Sequence, residues 1–162
     1  MRTSNTKPFR ILWIEYELEK IEAGQIELVR LLKSKSGLNR KKIEIIPAGW
    51  VNEAVEKLDA MRKNPPDLII LDFMLPRTEE QFNAKPPKVD TNAGFLLWHR
   101  LRQQIVWGTK MQQVPIIFVT ALSRPVYRPM MESDSELKWL EKPVFPSEIA
   151  KVIKQRIETG SF

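Results

Sequence analysis

Four polar residues stand where apolar runs stop. Glu15 follows Ile11–Ile14, Asp72 follows Leu68–Leu71, Thr120 follows Pro115–Val119, and Lys142 follows Leu137–Glu141. Two carboxylates, a hydroxyl and an ammonium make a coherent chemical set. A carboxylate at the mouth of a buried strand costs desolvation energy unless a cation, a water or a donor meets it. Brought together, such groups can neutralise an anion. An ammonium and a divalent cation cancel the repulsion between a carboxylate nucleophile and an anionic phosphoryl group, and a hydroxyl can bind one of its oxygens. Taken singly, each residue has a plainer reading. A lone strand-end Asp before Pro76 is a turn residue, a lone Thr is ordinary in a strand, and a lone Lys is ordinary surface.

The set acts as one site only if the runs are strands that end at a common edge. The apolar pattern supports this. Leu18, Ile21, Leu28, Val29 and Leu32 recur at helical spacing after the first run, with Gly24 as a candidate break. Lys42–Pro47 reads as a short strand. Asn52 is a candidate cap for a helix with Ala54, Val55, Leu58 and Met61 on its inner face, ending before Pro65-Pro66. Leu97, Leu101 and Ile105 mark a further helix, and Ile149, Val152, Ile153 and Ile157 a terminal one with Pro146 near its first turn. Fully apolar strands alternating with helices imply a parallel sheet covered on both faces. Binding sites in such sheets lie beyond the carboxyl ends of the strands.

The bulk properties suit one domain with a real core: 162 residues, 43% hydrophobic and 28% charged. Without cysteine there are no disulfides or thiolate metal sites, and a reducing, cytoplasmic setting is the default. No run is long enough for a membrane span. The net charge of +6 comes from residues spread along the chain, densest at Arg40, Lys41 and Lys42, which reads as a solvated surface and not a nucleic-acid face. His99, the single histidine, reads as a surface or half-buried helix residue. There is no glycine-rich phosphate loop and no hydrolytic triad around His99, so catalysis on foreign substrates is not expected.

"LIILDFMLP" around Asp72, "IIFVTAL" around Thr120 and "WLEKPV" around Lys142, in this order and after an acid-ended first strand, resemble the receiver domain of two-component response regulators. The resemblance implies a flavodoxin-like (CheY-like) α/β fold: a doubly wound, five-stranded parallel sheet with helices on both faces. It covers residues 9–158 as a single domain, after a flexible arm at 1–8 and before a tail at 159–162. It implies Asp72 as phosphoacceptor, Thr120 and Lys142 as partners of the phosphoryl oxygens, and Mg²⁺ held by Glu15, Asp72 and the Met74 carbonyl. Thr120 and Trp139 would form a conformational switch, and the Lys142–Pro143 peptide bond would be cis. Met74 and Leu122 would keep attacking water from the acyl phosphate. The implied partners are a histidine kinase or phosphotransfer protein and a downstream protein, with homodimerisation left open.

Three departures stand beside the resemblance. The family usually has two acids after strand one, whereas this chain has Glu15-Tyr16, and a phenol with a pKa near 10 is a poor replacement for a carboxylate. Glu17, Glu79, Glu80 or Asp90 are candidates for the missing acid. The crossing from Pro76 to Gly94 spans seventeen residues, RTEEQFNAKPPKVDTNA, as an insertion at about 77–92; a flexible surface loop is the default reading and a cover over the site the alternative. Asp90 or Thr91 would cap the helix that follows. Pro125 and Pro129 oppose a regular helix between Ser123 and Glu136. A second reading therefore stays open: a receiver-like interaction module that works without phosphate.

Overall fold

The computed structural model describes residues 7–34, 38, 41–103, 105–121 and 126–162, with backbone alone for 18–21 and 105. Most of the expected N-terminal arm, Arg40, Leu122, Ser123 and Pro125 lie outside the described residues. The sheet has five strands: β1 (Phe9–Ile14), β2 (Ile43–Ala48), β3 (Leu68–Asp72), β4 (Ile116–Thr120) and β5 (Leu137–Glu141). Their order is β2-β1-β3-β4-β5 and every pairing is parallel. The doubly wound α/β fold is therefore observed. Side-chain alternation divides β1 between two cores. Leu12 and Ile14 face one and Ile11 and Trp13 the other, so each strand needs apolar residues on both faces.

Helices α1 (Leu18–Lys33) and α7 (Pro146–Thr159) bury Leu28, Leu32, Ile149 and Ile153 on one face. Helices α2 (Val51–Ala60) and α4 (Ala93–Gln103) bury Leu58, Leu97 and Leu101 on the other. Gly24 does not break α1. Packing through Leu28 and Leu32 outweighs the roughly 1 kcal/mol that a mid-helix glycine costs relative to alanine. Among the described residues no helix is long and apolar enough to cross a membrane.

Asn52 is not the cap of α2. That helix starts at Val51, and Trp50 occupies the cap position without a side-chain bond. The first-turn amides are satisfied from outside: Val51 N donates to Pro76 O (3.0 Å) and Asn52 N to Arg77 O (3.1 Å). The accepting carbonyls begin the insertion, which is ordered where a flexible loop was the default. It carries a short helix α3 (Glu79–Asn83), whose Gln81 amide donates to Thr78 Oγ1 (3.3 Å). It closes by a two-way bridge between Leu75 and Asp90 and by an Arg77–Asp90 ion pair at 2.6 Å. Phe82 packs on Trp50 with ring centroids 5.1 Å apart. Asp90 or Thr91 was expected to cap α4; Asp90 Oδ1 accepts instead from the Asn92 amide at 2.7 Å, one residue before the helix starts at Ala93, and the first-turn amide of Gly94 donates to Phe73 O at 2.9 Å.

Helical spacing through Ile105 suggested a longer α4. The chain instead passes into a 3₁₀ turn (Ile105–Trp107) and α5 (Thr109–Gln112). Gly108, at φ 82°, takes a left-handed turn, and buried Trp107 donates from Nε1 to Asp59 Oδ1 at 2.5 Å. Between β4 and β5 the described helix is four residues, α6 (Arg128–Met131), with Pro129 in its first turn. Pro129, expected to oppose a helix here, is accommodated in that first turn, where its missing amide hydrogen costs nothing.

Gly94 and Gly24 make opposite demands. A Cβ on Gly94 would lie 2.2 Å from Asp72 O and 2.7 Å from Phe73 Cα, so the start of α4 presses on the backbone of the β3 end. A Cβ on Gly24 would meet Pro146 Cγ at 3.9 Å and Trp13 at 4.0 Å, ordinary contacts. Urea unfolding should show Gly94→Ala losing about 3 kcal/mol, because backbone must move to admit it. Gly24→Ala should gain about 1 kcal/mol.

Candidate functional site

The strand register assembles the site. Ile14 pairs with Leu71, so the next residues, Glu15 and Asp72, leave the sheet side by side. Asp72 in turn pairs with Val119, which precedes Thr120, and Thr120 pairs with Glu141, which precedes Lys142. The Lys142 amide donates to Thr120 O at 2.8 Å and carries the ladder one step further. β1 and β3 are the neighbours between which the connections change face, α1 lying on one side and α2 and α4 on the other. This is the topological switch point, where open α/β sheets place their ligands.

Glu15, Asp72 and Thr120 are the buried polar residues of the described chain. Lys142 reaches over them from the rim. Its Nζ lies 2.6 Å from Glu15 Oε2 and 2.8 Å from Asp72 Oδ2, so one ammonium serves two buried carboxylates. The other oxygens have weaker donors: the Glu17 amide to Glu15 Oε1 and the Met74 amide to Asp72 Oδ1, each at 3.3 Å. One positive charge against two negatives leaves an excess of negative charge in a dry place. Burial first, and then the Asp72 charge, push the Glu15 carboxyl up to about 7, with Lys142 pulling the other way. Burial disfavours the charged form of Lys142. Glu15 and Asp72 outweigh that effect and raise its pKa above the ordinary lysine value.

Tyr16 stands beside this group as a neutral phenol. Burial, then the charges of Glu17, Glu15 and Asp72, raise its pKa. Of the candidate replacements for the missing acid, Glu79, Glu80 and Asp90 do not join the group. Glu79 and Glu80 are exposed on α3, and Asp90 is committed to Arg77 and to the Leu75 bridge. β1 ends at Ile14, so Glu17 does not continue its alternation; it holds the cap position of α1. Among the described residues no three His, Cys, Asp or Glu side chains converge as a metal cluster. Two hard carboxylates with excess negative charge nevertheless suit one divalent cation of the Mg²⁺ type, which commonly binds through one or two carboxylates. Such an ion would compete with Lys142 for the same oxygens.

Trp139 projects from β5 onto Phe118, with centroids 5.5 Å apart at 16°, and lies 6.0 Å from Phe73, the residue after Asp72. The guanidinium of Arg128 covers its ring at 5.2 Å. Trp139 Nε1 is buried without a hydrogen-bond partner. The Lys142–Pro143 peptide bond is cis, as the resemblance implied. The sequence reading passed over Arg128 and Gly94. A glycine at the entry of an apolar helix is a signal for close backbone approach and could have pointed to Gly94. Nothing local marks Arg128. His99 is exposed beside Phe95 and lies outside the site.

No protein-family model matches the chain, and no curated protein matches it. Solved structures do. A receiver domain of a DNA-binding response regulator from Colwellia psychrerythraea aligns with TM-score 0.63 at 21% identity, covering 93% of this chain and 99% of that one. A CheY-like receiver domain protein from Methanospirillum hungatei aligns with TM-score 0.61 at 17% identity, over 94% and 95% of the two chains. The receiver domain of a sensor histidine kinase from Pseudomonas aeruginosa aligns with TM-score 0.58 at 16% identity, over 94% and 100%; that protein carries a magnesium ion in its active-site cleft. At these identities the likeness is one of fold: the chain has the receiver-domain architecture.

The crowding of two carboxylates has a sign that can be measured. The folded pKa of Glu15, about 7, lies above its reference value of 4.5. The folded state therefore binds the extra proton between those values, so this contribution is full below pH 4.5 and is lost as the pH rises through 7. Asp72→Asn removes one cause of the shift and leaves Lys142 a single partner. It should raise stability by about 1 kcal/mol near pH 8 and by less near pH 5, read from urea midpoints. An equal change at both pH values would contradict this account.

Proposed function

We propose that this chain is a phosphoacceptor signalling module of the receiver type, with Asp72 taking a phosphoryl group from a phosphohistidine of a kinase or phosphotransfer protein. What carries the reading is the shared grip of Lys142 on Glu15 and Asp72 at the switch point of the sheet. A structural ion pair needs one acid for one base. A surplus buried acid destabilises the fold and calls for a further positive partner.

In the reaction an Asp72 oxygen attacks phosphorus. The P–O bond forms as the P–N bond to the donor imidazole breaks, and the bonding pair leaves with that imidazole. Lys142, kept charged by its two acids, follows a phosphoryl oxygen as the carboxylate becomes an acyl phosphate. Thr120 Oγ1 binds a second oxygen. Mg²⁺ held by Glu15, Asp72 and the Met74 carbonyl would neutralise the remaining charge on the phosphoryl oxygens. Glu15 then loses the Asp72 charge beside it and keeps its place near Lys142.

The change is passed on through β4 and β5. Phe73, Phe118 and Trp139 form one aromatic cluster beside the Asp72 loop, so movement at Thr120 alters the seat of Trp139. A downstream protein that binds one seat better than the other reads the signal. Tyr16 favours a second reading, a phosphate-independent interaction module. There Lys142 would satisfy the two acids permanently and no metal would be needed.

Phosphoramidate with millimolar Mg²⁺ should add one phosphoryl group to the intact mass, and Asp72→Asn should abolish the gain. Lys142→Met should slow it by about 100-fold, the usual scale for losing one charge-stabilising group. Beryllofluoride should change the tryptophan fluorescence of the parent and leave Asp72→Asn silent. No mass gain and no fluorescence change in the parent would favour the second reading.

A further inference from the structure

The amino ends of the strands, at the far edge of the sheet from Asp72, gather cations that are scattered in the sequence. Lys42 leads into β2, and its carbonyl accepts the Phe9 amide at 2.8 Å, so Lys41 and Lys42 stand beside Lys7 and Arg10 at the entry to β1. The Arg10 guanidinium reaches the end of α2 and donates to Asn64 O and, at 2.9 Å, to Pro65 O. That clamp sets Arg62 and Lys63, just before Asn64, at the same edge. Arg10 is half-buried and the other five side chains are exposed.

This charge is not cancelled. Among the described residues none of the six cations is in an ion pair with an acid. The acids of this edge are Glu44, Asp59 and Asp67; Asp67 accepts the Arg10 amide at 2.8 Å and Asp59 accepts from Trp107. The adjoining stretches 1–6 and 34–40 contain no Asp or Glu. The carbonyl end of α2 favours cations and accounts for Arg62 and Lys63. Lys7, Lys41 and Lys42 precede strands, whose dipoles are small, and have no such reason to be there.

An exposed cation gains little from one screened contact, so a partner for this edge must carry many negative charges. A membrane surface or an acidic protein would also meet apolar side chains. None of the large apolar residues exposed among the described ones belongs to these three segments. A nucleic-acid backbone asks for charge alone. We infer that this edge binds the phosphate backbone of a nucleic-acid duplex without regard to sequence, through Lys7, Lys41, Lys42, Arg62 and Lys63, with Arg10 as the residue that positions the α2 end. The cations come from three remote segments, which is why the charge looks evenly spread along the chain. The edge lies about 20 Å from Glu15, at about 3.3 Å for each residue of β1. Both ends of the sheet can therefore be occupied at once, and the inference does not rest on phosphoryl transfer.

The test titrates the full chain into fluorescein-labelled DNA and RNA duplexes of about 20 base pairs, read by anisotropy between about 50 and 200 mM KCl. At least one duplex should bind with a Kd of about 10 μM at the low salt, and the tighter of the two identifies the source of the backbone. The plot of log K against log salt should fall with a slope of about −4, the value for four or five phosphate contacts. The double variants Lys41→Gln/Lys42→Gln and Arg62→Gln/Lys63→Gln should each weaken binding at least about 10-fold and make the slope shallower by about 2. Lys85→Gln/Lys88→Gln removes the same charge from exposed lysines of the insertion and should leave binding within about 2-fold. All six substituted positions are exposed, and unchanged circular dichroism would verify that each variant is folded. Polyglutamate, and vesicles with about 30% phosphatidylserine, should bind at least about 10-fold more weakly than the duplex. No duplex binding at low salt, an equal loss in the insertion variant, or polyglutamate or vesicles binding as tightly as the duplex would each overturn the inference. None of these outcomes bears on whether Asp72 accepts a phosphoryl group, which the mass measurement decides separately.

Discussion

One lysine ammonium against two buried carboxylates sets the character of this molecule. Lys142 meets Glu15 at 2.6 Å and Asp72 at 2.8 Å, and the acids are almost wholly removed from water. A one-to-one pair would settle this edge of the sheet. Two-to-one does not, and Glu15 shows the residue of that imbalance in a carboxyl pushed up to about 7 by burial and by Asp72. Surplus buried negative charge, met by a single lysine that reaches in from the rim, favours a further positive partner. The fold tolerates it because the strands beneath are apolar on both faces and supply the burial that offsets the electrostatic cost.

The surrounding structure limits how far that edge can move. Gly94 brings α4 against the Asp72 carbonyl, and its amide donates to Phe73 O at 2.9 Å. Directly upstream, the insertion folds back on α2 through the amides of Val51 and Asn52, the Trp50–Phe82 contact and the Leu75–Asp90 bridge. The long crossing that could have been a loose cover is thus a brace between the ends of β2 and β3. It contributes no carboxylate to the site, and the place of the second acid is left to a neutral Tyr16. The opposite side is less constrained. Trp139 has a buried indole N–H without a partner and a guanidinium over its face, an arrangement in which a second rotamer would give up little hydrogen bonding.

Much of the scaffold was legible from the residues alone. The runs ending at Ile14, Leu71 and Val119 read as strands because a parallel sheet buried on both faces demands continuous apolar sequence, and little else does over so short a length. α7 was legible from its spacing and from Pro146 in its first turn. The misreadings share a cause. Asn52 has the right chemistry for a cap, but carbonyls from residues 76 and 77 reached the α2 amides first. Gly24 has the wrong propensity for a helix, but Leu28 and Leu32 hold α1 to the sheet. The insertion looked featureless because what orders it lies on α2, twenty or more residues away.

The candidate site divides along the same line. Residue type and order along the chain determined that two acids, a hydroxyl and an ammonium would reach one edge of a parallel sheet, because strand ends are set by where apolar sequence stops. Sequence could not tell which acid the lysine would hold, since its contacts span 127 and 70 residues and depend on register across three strand pairs. Nor could it tell that Glu79, Glu80 and Asp90 would stay apart from them, or that a glycine in α1 would face a cavity. Burial, proton affinity and empty space are properties of distances between remote segments, and only the tertiary structure decides those.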